Sequence, residues 1–161
     1  MVDYVTESKP AIIEQDARLS VRVALTGAVM GILVWGIAVL LERFVLRAVF
    51  CGDPSAAACV NLTTYSGNIA AVVVAIIGVV ALVRFGVFRP LLIVLGAAIS
   101  LWGLAAWLTD LSMIEQVGWS IALYTLLYSL YAWVARIRHT VVVILIFIAV
   151  AIASRVIPNL V

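Results

Sequence analysis

Apolar residues run along this chain in five long stretches, separated by short polar breaks. The stretches cover 23–41, 68–83, 90–109, 117–135 and 140–154. About 20 apolar residues in a helix cross the roughly 30 Å hydrocarbon core of a bilayer. The pattern therefore predicts an all-α fold: a polytopic membrane protein built as a five-transmembrane-helix bundle. Residues 1–17 carry Asp3, Glu7, Lys9, Glu14 and Asp16, and read as a cytoplasmic N-terminal segment. A secretory leader would start basic and carry a shorter apolar core. Residues 18–161 form one transmembrane domain, with no length left for a soluble one.

The breaks are informative in themselves. The first helix is expected to run on to about Phe50, since 42–50 contains no Gly or Pro. Gly52, Asp53, Pro54 and Ser66-Gly67 mark 51–67 as an outer loop. Pro90 suits the first turn of the third span, where its missing N–H is no loss. Residues 136–139, Arg-Ile-Arg-His, are a basic break without Gly or Pro. One helix over 117–157 would be roughly 60 Å long, twice the hydrocarbon thickness, so a hairpin is expected there.

Basic residues in short loops set orientation. With the N-terminus inside, Lys9, Arg18, Arg22, Arg84, Arg89, Arg136 and Arg138 are cytoplasmic, and Arg43, Arg47 and Arg155 are outside. Trp107 and Trp119 then belong to the outer aromatic belt, and Phe85, Phe88 and Trp133 to the inner one. Five spans put the C-terminus outside.

Composition sharpens the exclusions. Of the 161 residues, 66% are hydrophobic and 11% charged, against about 45–50% and about 25% in soluble domains. A net charge of +2 does not suggest nucleic acid as a partner. The one Lys, Lys9, lies outside the spans, so no retinal Schiff base can form. The one His, His139, cannot supply a bis-histidine haem. The two Cys, Cys51 and Cys59, are eight positions apart and cannot form a Cys-x-x-Cys redox pair. No catalytic set, metal site or cofactor is implied.

Five features remain as candidates. Cys51 and Cys59 share the outer loop and should form a disulfide where that side is oxidising. Gly27 and Gly31, and Gly96 with Ser100, make small-residue faces that let helices approach closely. They serve either packing within the bundle or a further subunit. Ser120, Tyr124, Tyr128 and Tyr131 share one face of the fourth span, with Thr125 and Ser129 beside it. Unpaired hydroxyls are costly in hydrocarbon, so this face should form interhelical hydrogen bonds or wall a polar cavity. Glu42, Arg43, Arg47, Asp110, Glu115 and Arg155 form an outer charge cluster. Arg84, Arg89, Arg136, Arg138 and His139 form an inner basic rim suited to anionic lipid. No ionisable residue falls at mid-depth, which argues against an ion-coupled pump.

These features lead to a non-enzymatic integral membrane protein, an accessory or scaffold subunit of a larger assembly. Its partners would be membrane lipids and other membrane subunits or further copies of itself. The alternative is a small transporter, or a protein binding lipid or neutral solute in a Tyr-lined cavity on the fourth span. The expected location is a bacterial cytoplasmic membrane.

Overall fold

Small side chains line much of the buried faces here, beside large ones such as Leu82, Ile93, Tyr128 and Tyr131. Lipid tails are as apolar as leucine, so helices in a bilayer associate through close packing and hydrogen bonds. Ala70, Ala71, Ala97, Ser66 and Ser100 are buried, while Val72, Ile76, Val80, Leu91, Leu95 and Ile99 are exposed. The computed structural model describes residues 17–51, 59, 61–137 and 139–156.

The described residues are helical. Helix α1 spans Ala17–Leu40, passes into a π-helical turn at Leu41–Leu46, and ends as α2, Arg47–Phe50. Helix α3 is Leu62–Arg84, α4 is Pro90–Ser100, α5 is Leu104–Trp107, α6 is Met113–Val134 and α7 is Thr140–Val156. Four apolar helical stretches are long enough to cross a membrane: Ala17–Phe50, Leu62–Arg84, Pro90–Trp107 and Met113–Val134. The chain is therefore a helical membrane protein. The fifth apolar stretch, Val141–Ser154, is shorter than these four.

Neighbours in sequence are neighbours in space. Helix α1 packs on α3 and, most extensively, on α6, while α4 packs on α3 and α6, closing a four-membered ring. Helix α7 leans on α4 and α6 from outside that ring. Gly27 of α1 lies against Tyr124 and Thr125, and Gly31 against Ser120 and Ile121, so α1 and α6 run antiparallel. Gly67 opposite Ala105 and Gly78 opposite Val94 give the same relation for α3 with α4 and α5. The ring is an up-down-up-down bundle.

Several boundaries differ from the sequence reading. Helix α1 starts at Ala17 and so includes Arg18 and Arg22. Helix α3 starts at Leu62, within the expected loop, because Ser66 and Gly67 pack inside the bundle. The third span is not one helix. It breaks between Ser100 and Leu104, where Gly103 takes φ 84°, a conformation open chiefly to glycine. The break frees backbone donors, and the Gly103 N–H donates to Asn68 Oδ1 on α3 at 3.2 Å. Helix α6 starts at Met113, four residues early. Ser112 N–H and Oγ–H donate to the Glu115 carboxylate at 2.9 and 2.7 Å, forming a capping box.

The basic break does reverse the chain. The Tyr131 and Phe147 ring centroids lie 5.5 Å apart. Sixteen residues of continuous helix would separate them by roughly 24 Å. At the other end of the bundle Cys51 and Cys59 form a disulfide with Cα atoms 5.3 Å apart.

Candidate functional site

Residues predicted to form three separate features meet at one end of the ring. A cavity of about 530 Å³ opens there, bounded by α1 with its π turn, by α3, by the broken third span and by α6. Ligand sites in proteins usually measure about 300–1,000 Å³. Val34, Ala38, Val39 and Ala71 form apolar wall on one side, and Leu101, Leu104, Ala105 and Leu108 on the other. Thr63, Ser66, Thr109 and Gln116 add polar wall. Ser120 and Tyr124 close the deep end, and Glu42, Arg43 and Arg47 stand at the rim.

The π turn brings the rim charges into place. On an unbroken α-helix at about 100° per residue, Arg47 would lie about 220° round from Val34. A π turn closes its bond one residue later, and the Arg47 N–H indeed donates to the Glu42 carbonyl. The residue so absorbed sets Arg47 back by about 100°, between Val34 and Val39 on the cavity face. There Arg47 Nη2 donates to Glu42 Oε1 at 3.2 Å.

Gln116 holds the wall together from two sides. Its Oε1 accepts from Trp35 Nε1 at 3.3 Å, and its Nε2 donates to the Leu111 carbonyl at 3.0 Å. This bond ties α1 to the start of α6 directly beside the cavity.

The tyrosine face divides by depth. Ser120 and Tyr124 are 2% and 3% exposed, and both line the cavity. Neither hydroxyl has a hydrogen-bond partner among the described residues. Tyr128 and Tyr131 lie below and are packed solid. The Tyr131 hydroxyl pairs with Ser100 Oγ at 2.8 Å, a bond worth about 0.6–2 kcal/mol in a membrane bundle. Thr125 and Ser129 need no partner helix. Each donates to the carbonyl four residues back, at 2.7 and 2.8 Å, and Ser129 faces outward.

The glycine faces are used inside the chain. A Cβ at Gly27 or Gly31 would lie within 3.0 Å of α6 atoms, and one at Gly96 would lie 2.7 Å from the Tyr131 ring. Those residues, with Ser100, seat α1 and α4 on α6.

The expected outer charge cluster is only half assembled. Glu42, Arg43 and Arg47 meet at the rim. Glu115 instead caps its own helix, because Ser112 lies three residues before it. Asp110 is exposed, and the side chain of Arg155 lies outside the described residues. The inner basic rim sits at the opposite end. Arg84 and His139 are exposed. Arg136 Nη2 donates to Ser20 Oγ at 2.7 Å, and Arg89 stacks 5.0 Å over the Phe88 ring. Arg138 lies outside the described residues. Sequence reasoning missed Gln116, Thr63 and Ser66 as cavity residues, since each fell in a stretch assigned to a connection.

Comparison with family models, curated proteins and solved structures gives no match.

Proposed function

We propose that the chain is a non-enzymatic integral membrane protein that binds a lipid or other small amphiphile in the cavity at the end of its bundle. One observation carries this reading. Ser120 and Tyr124 are 2% and 3% exposed, and where they border about 530 Å³ of space their hydroxyls make no hydrogen bond among the described residues. Polar groups kept from bulk water are normally paired, and a ligand atom or water in the cavity would pair these. Gentle detergent extraction and native mass spectrometry test it. The wild type should retain about one equivalent of a small molecule, and Ala38→Phe, which fills the cavity, should lose it. A wild type that retains nothing, with Ala38→Phe more heat-stable, would mark the space as a packing defect and end the proposal.

The accessory-subunit reading keeps one support. Among the described residues nothing lies within 4 Å of a Cβ added at Gly36 on α1 or Gly118 on α6, so both offer close approach to another helix. It requires co-extraction of a second protein with this 17.3 kDa chain.

We also propose α7 as a fifth span, with the N-terminus cytoplasmic and the C-terminus outside, in a bacterial cytoplasmic membrane. The basic residues support this sidedness, and so does the disulfide, which belongs on an oxidising side. The cavity then opens outward. Reporter fusions after residues 88 and 161 should report cytoplasm and exterior respectively. A cytoplasmic signal at residue 161 would remove the fifth span.

A further inference from the structure

Charge around the cavity is lopsided. Its ionised wall residues are Glu42, Arg43 and Arg47. Arg47 is paired with Glu42 at 3.2 Å, whereas Arg43 has no carboxylate partner among the described residues. Among the described residues the rim thus carries one positive charge in excess. Below it the wall turns apolar, and at the deep end the Tyr124 and Ser120 hydroxyls make no hydrogen bond among the described residues. From Arg43 to Trp35 the cavity follows eight residues of helix, roughly 12 Å at 1.5 Å per residue.

A neutral solute would leave that charge unanswered. A free inorganic anion would answer it but leave the apolar wall bare. We infer that the cavity binds an anionic amphiphile, and this rests on the cavity being a ligand site at all. A phosphate or carboxylate lies at Arg43 beside the Glu42–Arg47 pair. An apolar segment follows the wall, and a hydroxyl or carbonyl at the far end meets Tyr124 and Ser120. Arginine suits the charged end because its planar donors match phosphate and carboxylate oxygens. Glu42 limits the net attraction to a single negative charge and holds Arg47 at the rim.

Trp35 lines the cavity and can report occupancy directly. The other four tryptophans, Trp102, Trp107, Trp119 and Trp133, are 39–57% exposed and can be replaced by Phe. The single-Trp35 protein, in phosphatidylcholine nanodiscs, is titrated with a dibrominated alkyl phosphate, with the parent dibrominated alcohol, and with inorganic phosphate as competitor. Saturable quenching is expected, with the alkyl phosphate binding about tenfold more tightly than the alcohol. Arg43→Gln should abolish that preference, and Glu42→Gln should enlarge it. Equal binding of phosphate and alcohol by the wild type would overturn the anion while leaving the ligand site standing. Absence of saturable quenching by both would overturn the site itself. Competition by millimolar inorganic phosphate would support the charge requirement and assign it to a water-borne anion; its failure would assign it to a lipid headgroup.

Discussion

Gly31→Val is expected to abolish the folded monomer in mild detergent, while Gly36→Ala five residues on leaves it intact or slightly firmer. At Gly31 an added Cβ would stand 2.6 Å from the Ser120 carbonyl oxygen and 2.8 Å from the Ile121 Cα. These are backbone atoms of α6, so no rotamer change relieves the clash. A branched side chain would have to push the two helices apart along the most extensive contact in the bundle. Overpacking usually costs about 1–3 kcal/mol where side chains can yield; against backbone, about 3 kcal/mol or more is expected. Gly36 has open space at the same position, and alanine there should return about 0.5–1 kcal/mol of helix propensity. Thermal unfolding followed by circular dichroism separates the two. A Gly31→Val protein melting like the wild type would mean that α1 and α6 do not cross as described.

How much of this could be read in advance depended on where the causes lie. Four spans follow from the apolar runs, because a hydrocarbon solvent imposes them residue by residue. The start of α3 did not, since Thr63, Ser66 and Gly67 look like loop. They are helical because their polar side faces the cavity rather than lipid. The break at Leu101–Gly103 depends on Asn68, 35 residues away, and no local pattern announces such a partner. Nor does anything in Leu41–Leu46 signal a π turn. The capping box was legible: Ser112-Met113-Ile114-Glu115 has the required spacing, but Glu115 was assigned to a charge cluster instead. Ser120, Tyr124, Tyr128 and Tyr131 are all buried on α6. Their division into cavity wall and packed core is set by Gly96 and Ser100 on a different helix.

Tyr128→Ala is expected to cost roughly 2–3 kcal/mol, and Tyr128→Phe less than about 0.5 kcal/mol. Tyr128 is 1% exposed and sits where α1, α3 and α6 meet. A Cβ at Gly27 would lie 3.0 Å from its Cβ, and one at Gly78 would lie 2.5 Å from its hydroxyl. In water, truncating such a side chain forfeits both transfer energy and packing. In a bilayer the unpacked helices meet lipid instead of water, so the transfer part nearly vanishes and the void remains. A void on the order of 100 Å³ at about 24 cal/mol per Å³ gives the figure stated. Phenylalanine keeps the ring and almost all of its contacts. Equilibrium unfolding in mixed micelles measures both variants. A Tyr128→Phe protein as damaged as Tyr128→Ala would move the stabilisation from the ring to the hydroxyl, and the bundle would then be held at its centre by polarity rather than by shape.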